Sequence, residues 1–262
     1  MRQQDVLLIH GTWGNGPSWA DFAAALTIRG YTVHHPTLPS HGPAQEIDIA
    51  TAAHDVAKLG FDDYVGYLRG LVEQMATPPI IVGHSLGALL AQLLAQHVPN
   101  AGVVLIGTAP AAGVFALYPT TTVLWSRYAK QFVFGQPMYP VSKKAWDAFI
   151  CNTTPRELSD ELYAGLCAES GTVYRQMVFW FLDPRRRTRV DFAKITSPVL
   201  VIAGQNDRCC VPGMQKATAG RYGSRGTYRE IPGSDHMMVC GPVLPKTLAI
   251  FDDWASANAV AP

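Results

Sequence analysis

Ile80-Ile81-Val82-Gly83-His84-Ser85-Leu86-Gly87-Ala88-Leu89-Leu90-Ala91-Gln92-Leu93-Leu94 is the stretch on which the fold turns. Its first three residues form a short apolar run of β-branched side chains, as a strand buried on both faces requires. From Ala88 onward the chain offers a run of good helix formers. Between them stands Gly-x-Ser-x-Gly, a pentapeptide short enough to arise by composition alone. Its flanks give it meaning: a strand, a tight turn and a helix in immediate succession. A side chain at position 83 or 87 would crowd such a turn, so glycine is wanted at both. The corner then projects the Ser85 hydroxyl above the end of a sheet.

Working outward, apolar runs alternate with helical patterns. Val6-Leu7-Leu8-Ile9 reads as a buried strand closed by Gly11. Trp19, Phe22 and Leu26 recur at helical spacing, and Gly30 marks that helix's end. A strand at Tyr31-Thr32-Val33-His34 leads into a Pro- and Gly-punctuated loop from Pro36 to Pro43. Helices are predicted over about 61–75 and from Leu86 to His97, with a strand at Val103-Val104-Leu105-Ile106. Val199-Leu200-Val201-Ile202 and Thr227-Tyr228-Arg229-Glu230-Ile231 resume the rhythm, and a helix over 244–257 closes the chain. Strands separated by helices predict an α/β fold with a mostly parallel, doubly wound sheet.

Between Ala111 and Ala193 the rhythm breaks. No buried-strand run is evident there, and the segment reads as several helices with breaks near Pro119, Pro137, Pro140 and Pro184. Of the chain's six Trp, ten Tyr and ten Phe, fifteen fall in this third of the sequence. The expected organisation is therefore a core of residues 1–110 and 194–262, with residues 111–193 inserted as a helical cap before the last strands. Many of its rings would pack within the cap, while its inner face would line an apolar pocket over the strand ends.

Composition narrows the function classes. The 262 residues are 48% hydrophobic and 16% charged, well under the roughly 25% charge of an average globular chain. That suits one large domain with an extensive core and excludes disorder. Net charge is +1, which excludes a general affinity for nucleic acid or anionic membrane. The apolar run near the amino end is too short for a signal peptide, and no run is long enough for a membrane span. Cys151, Cys167, Cys209, Cys210 and Cys240 are odd in number and follow no zinc-ligand spacing. They read as reduced thiols in a soluble, cytoplasmic protein. His34, His35, His41, His54 and His97 lack paired ligand spacing, so neither a metal site nor a cofactor is expected. Arg185-Arg186-Arg187-Thr188-Arg189 reads as a solvated basic loop, with an anionic ligand as the alternative.

A serine of ordinary pKa needs a base, and the base needs an orienting carboxylate. Asp207 falls in the loop beyond the strand at 199–202. His236, the only histidine after His97, falls beyond the strand ending at Ile231. Ser85, Asp207 and His236 thus follow in chain order, each at a strand's carboxyl end. Asp183 is the rival for Asp207, and Asp235 is too close in sequence to His236 to orient it. A developing oxyanion needs backbone N–H donors. Leu86 is expected to supply one, and the loop His10-Gly11-Thr12-Trp13-Gly14-Asn15-Gly16 the other, from Thr12 first and Trp13 second. Trp13 is also placed in the substrate-pocket wall, whereas Trp19 at helical spacing with Phe22 reads as core. The loop lacks the Gly-x-Gly-x-x-Gly and Walker patterns of a phosphate cradle.

Together, His10-Gly11, the Pro36-Thr37-Leu38-Pro39-Ser40-His41-Gly42 loop, Gly83 to Gly87, Asp207 and His236 resemble an α/β-hydrolase-fold serine hydrolase. Serine at position 85 departs from the aspartate of haloalkane dehalogenases and epoxide hydrolases, and from the cysteine of dienelactone hydrolases. His10-Gly11-Thr12-Trp13 through Trp19, with Ser234-Asp235-His236-Met237-Met238, is similar to the plant methylesterase and hydroxynitrile lyase branch. Lyases there carry Thr and Lys where Gly11 and Met237 stand, so the resemblance falls on the esterase side. It implies a carboxylesterase that passes through an acyl-enzyme, with a small to medium apolar ester as its partner. The same three residues also suit acyl transfer, lactone or amide hydrolysis, or cofactor-free lyase chemistry. A ligand-binding protein with little turnover is a third reading. Oligomeric state is not legible.

Overall fold

The computed structural model describes residues 3–42 and 49–260. Eight strands occur among them: β1 (Asp5–Ile9), β2 (Thr32–His34), β3 (Ile80–His84), β4 (Gly102–Ile106), β5 (Pro137–Met138), β6 (Glu169–Ser170), β7 (Val199–Gly204) and β8 (Gly226–Ile231). Six of them form one all-parallel sheet in the order β2-β1-β3-β4-β7-β8. Chain order reverses direction beside β1 and β3, so the loops after these two strands meet at one place above the sheet.

The helices are α1 (Ala20–Ile28), α2 (Ile49–Lys58), α3 (Phe61–Val72), α4 (Leu86–Ala95), α5 (Pro119–Trp125), α6 (Ala129–Phe134), α7 (Lys143–Phe149), α8 (Arg156–Ala164), α9 (Gly171–Val178), α10 (Pro212–Gly220) and α11 (Leu244–Ala257). Successive strand residues point to opposite faces, and the two faces build separate cores. Val6, Leu8, Ile80, Val82, Val104, Ile106, Leu200 and Ile202 pack against Phe22 and Leu26 of α1 and Phe251 and Trp254 of α11. Leu7, Ile9, Ile81, Val103, Leu105, Val199 and Val201 pack against α3, α4 and α10. The central strands are wholly buried, which is why their sequences read as continuous apolar runs.

Some element boundaries differ from the sequence reading for identifiable reasons. The third helix stops at Val72 because the Gln74 and Met75 N–H groups donate to carbonyls three residues back, tightening the last turn. The same tightening at His97, whose N–H meets the Leu94 carbonyl, ends α4 at Ala95. Pro119 starts a helix, where its missing N–H costs nothing. The pair β5–β6 is antiparallel and two residues long on each side, too short to leave a periodic signal. The predicted loop is described as far as Gly42; its end at Pro43 lies outside the described residues, as do Met1 and Arg2.

The segment between β4 and β7 carries α5 to α9 over the carboxyl ends of the strands. Trp125, Tyr128, Phe132 and Tyr174 form an aromatic cluster there, with Trp125 4.8 Å and Phe132 5.4 Å from the Tyr174 ring. Trp13 of the core joins it, 5.6 Å from Trp125. No helix among the described residues is long and apolar enough to cross a membrane.

Candidate active site

Ser85 occupies the corner between β3 and α4 with φ 56° and ψ −120°, a conformation that side chains other than glycine rarely adopt. The corner survives because its flanks come very close. A Cβ on Gly83 would lie 2.2 Å from the Gly87 carbonyl oxygen, and one on Gly87 would lie 2.1 Å from the Ile9 oxygen. Ser85 itself is fixed through its backbone: its N–H donates to Ile106, and its carbonyl accepts from Ala88 and Ala109. Leu86 opens α4, so its N–H is among the donors a helix start leaves unpaired.

Asp207 and His236 meet over this corner. His236 Nδ1 lies 2.7 Å from Asp207 Oδ2, and both side chains are almost wholly buried. Asp207 Oδ1 accepts the backbone N–H groups of Cys209 and Cys210, each at 2.8 Å. Burial alone would push His236 down, but the Asp207 carboxylate outweighs it and holds the imidazole up, at about 9. His84 supports the arrangement from beneath, with Nε2 donating to the His236 carbonyl at 2.9 Å. Burial, reinforced by His236, drives the His84 pKa down to about 3, so its ring stays neutral.

Ser85 and His236 line one cavity of about 470 Å³, together with Thr12, Trp13, Trp19 and Trp146. Ser85 also lines a second, more apolar chamber of about 650 Å³, walled by Val114, Phe132, Tyr174 and Trp180. Trp125 and Cys209 border both chambers, which places Ser85 at a junction between them.

The loop after β1 passes against the serine; a Cβ on Gly11 would lie 2.8 Å from Ser85 Cβ. Gly11 to Gly14 is a turn closed by the Gly14 N–H on the Gly11 carbonyl. Trp13 takes its positive-φ position, at 62°, where glycine is the usual occupant. Trp13 is held there from the cap: its indole N–H donates to the Met138 carbonyl at 3.1 Å, and its own carbonyl accepts the Cys167 N–H at 2.7 Å. Thr12 Oγ1 is tied to the Tyr174 hydroxyl at 2.5 Å.

The structure therefore brings Ser85, Leu86, Thr12, Trp13, Asp207 and His236 together. Asp183 lies elsewhere, its largely buried carboxylate paired with Arg187. Asp235 is buried but accepts from Thr153, Thr154 and Met237, pinning its loop instead of orienting the imidazole. Trp19 is core, with its ring edge-on to Phe22, and also borders the smaller cavity.

Sequence reasoning missed a buried polar network beside the site. His41 Nε2 donates to Glu169 at 3.2 Å, with neither side chain exposed, and the Tyr64 hydroxyl donates to the same carboxylate. Burial opposes charge on both partners, yet Glu169 holds His41 up and His41 holds Glu169 down. The adjacent His10 accepts the Leu38 N–H and is pushed down to about 3 by burial. Nothing in the spacing announces a pair 128 residues apart.

A doubly wound parallel sheet with a serine on the corner leaving its third strand defines the α/β-hydrolase architecture. The chain belongs to the Alpha/beta hydrolase family, whose sequence profile matches residues 6–241. It is similar to the magnesium-chelatase 30 kDa subunit of Rhodobacter capsulatus, 29% identical over 250 residues that cover 87% of this chain and 79% of the relative. It is also similar to the pyrethroid hydrolase of Sphingobium wenxiniae, 32% identical over 127 residues, 47% of this chain and 42% of the relative. A crystal structure of a pyrethroid hydrolase superposes with TM-score 0.67 at 19% identity, covering 98% of this chain and 99% of that one. Tomato methylketone synthase I superposes with TM-score 0.69 at 16% identity over 99% and 100% of the two chains.

Proposed function

We propose that the chain is a serine carboxylic ester hydrolase that works through an acyl-enzyme on small to medium apolar esters. The observation that carries the reading is the buried His236–Asp207 pair at 2.7 Å, whose imidazole lines the same cavity as the strained Ser85. When a carbonyl enters, the Ser85 hydroxyl turns to His236 Nε2, which takes its proton as the oxygen attacks. The Asp207 carboxylate keeps the other ring proton on Nδ1 and stabilises the imidazolium. The Leu86 and Thr12 N–H groups receive the oxyanion. Collapse breaks the carbon–oxygen bond, and His236 returns the proton to the departing alcohol. Water repeats the sequence and frees the acid.

The two chambers suggest which half of the ester goes where. Because His236 must reach the leaving oxygen, the alcohol side belongs in the chamber that His236 lines, and the acyl chain in the apolar one. The hydrolase among the relatives supports the reaction class. Purified wild type and Ser85→Ala should be offered p-nitrophenyl esters of increasing acyl length. Release that depends on Ser85, with mass-spectrometric location of a fluorophosphonate adduct on Ser85, is expected. Absence of Ser85-dependent release at every chain length sinks the reading. Faster diversion of the acyl group to added alcohol than to water replaces hydrolysis with acyl transfer.

A further inference from the structure

Cys209 and Cys210 are left without a role by the proposed chemistry, yet they stand at its centre. Their two sulfurs and a ring nitrogen of His236 all lie within 4.8 Å of one another, and all three residues are buried. One carboxylate organises the whole group. Asp207 Oδ2 holds His236 Nδ1, and Asp207 Oδ1 holds the backbone N–H groups of both cysteines. With Nδ1 committed to Asp207, Nε2 is the ring nitrogen open to a further ligand, as in carboxylate–histidine–metal arrangements. Two sulfurs and one imidazole nitrogen are a soft donor set that favours d¹⁰ cations over Mg²⁺ or Ca²⁺. Tetrahedral bonds of about 2.0–2.3 Å set donors roughly 3.3–3.8 Å apart, so the three side chains close in by about 1 Å when a cation binds. Cys209 lines both chambers, so a solute that reaches Ser85 also reaches this group.

We infer that Cys209, Cys210 and His236 form a binding site for a soft divalent cation, Zn²⁺ or Cd²⁺, and that its occupation blocks the proposed ester hydrolysis. Binding converts the two thiols to metal thiolates and releases their two protons to solvent, together with the Nε2 proton wherever the imidazole is protonated, with no change in oxidation state. The cation takes the Nε2 lone pair that Ser85 requires, so metal and catalysis exclude each other. The blocking effect rests on the proposed function; the binding does not.

The test titrates metal-free, reduced protein with Cd²⁺ alone and follows the ultraviolet thiolate-to-cadmium absorption, with Ser85-dependent ester release measured in parallel. One equivalent is expected to raise the band and abolish release, and a chelator to reverse both. Cys209→Ala/Cys210→Ala, checked by circular dichroism, is read by its cadmium band and not by its turnover. It should lose cadmium affinity by more than the about 10–100-fold that changes behind a ligand cost. Should the double variant fail to fold, Cys209→Ser alone must show the weakened band. A band and inhibition that persist unchanged in the cysteine variants, or no band in wild type, overturn the site. Wild type that shows the band but no ester turnover in the metal-free state overturns only the hydrolase reading.

Discussion

Replacing Asp207 by Asn tests the candidate site most directly, because the local hydrogen bonds dictate how the new amide must sit. Oδ1 of Asp207 accepts two backbone N–H groups, while Oδ2 faces one imidazole nitrogen. An Asn carbonyl oxygen must therefore take the Oδ1 place. The opposite orientation would set an NH₂ against two buried N–H donors, at roughly 1–3 kcal/mol for each group left unpaired. The amide NH₂ then points at His236 Nδ1, which has to become an acceptor. The ring proton moves to Nε2, where the proton of Ser85 was to go. A wrong tautomer of this kind costs serine hydrolases about 10⁴-fold in kcat, or about 5 kcal/mol of barrier. The pH profile moves as well. Wild-type His236 is held up at about 9, and only the neutral imidazole is a base, so kcat/KM should climb with pH until about 9. Without the carboxylate, burial is opposed only by Cys209 and Asp235, and the limb should move to lower pH. Stability follows the same sign. The raised pKa stabilises the fold fully below about 6.5, and that contribution is lost as pH rises through about 9. Denaturant midpoints of wild type and variant should therefore differ more in mild acid than in strong alkali. The assay is p-nitrophenyl ester release across pH with the Ser85→Ala rate subtracted. A variant within about tenfold of wild type, or a limb that does not move, refutes the tautomer argument.

Three further outcomes follow from particular contacts. Gly87→Ala puts a Cβ 2.1 Å from one backbone oxygen and 2.4 Å from another. It should cost on the order of 3 kcal/mol or more in urea unfolding, whereas Gly66→Ala, with nothing within 4 Å, should gain about 0.5–1 kcal/mol. Tyr174→Phe removes the 2.5 Å bond to Thr12. It should cost about 1 kcal/mol of stability and lower kcat with little change in KM, because the loop it steadies acts on the transition state. Glu169→Gln breaks a buried ion pair and should destabilise by roughly 3–5 kcal/mol near neutral pH. That gap should close in acid as Glu169 protonates and in alkali as His41 deprotonates, since their pKa values are shifted down and up respectively.

What could be read beforehand has a common property: its signal is local. Ser85, Asp207 and His236 each follow a parallel strand within a few residues, so motif and element announce one another. The four central strands were readable for the same reason, their apolar runs being continuous where both faces are covered, whereas the edge strands β2 and β8 are only partly buried. The unread features are those whose meaning lies in a partner distant along the chain. Glu169 is an isolated acid in an aromatic-rich segment until folding sets it against His41 and Tyr64. Tyr174 is one ring among fifteen until it meets Thr12. Cys209 and Cys210 match no ligand spacing, because their third member, His236, arrives from the far side of β8.

These distant contacts change what the cap is. A lid over a finished site would only have to open and close, but here the loop bearing the Thr12 N–H is not finished by the core alone. Its turn forces Trp13 to φ 62°, a conformation costing about 1–3 kcal/mol in a residue other than glycine. The core supplies Gly11 and Gly14 to close that turn. The cap supplies the Met138 carbonyl and the Cys167 N–H that grip Trp13, and Tyr174 that grips Thr12. The buried Glu169–His41 pair crosses the same boundary a short way off. Three hydrogen bonds from the segment between β4 and β7 thus hold the strained loop. Part of the aromatic surplus of residues 111–193 holds the loop after β1 as well as walling a pocket.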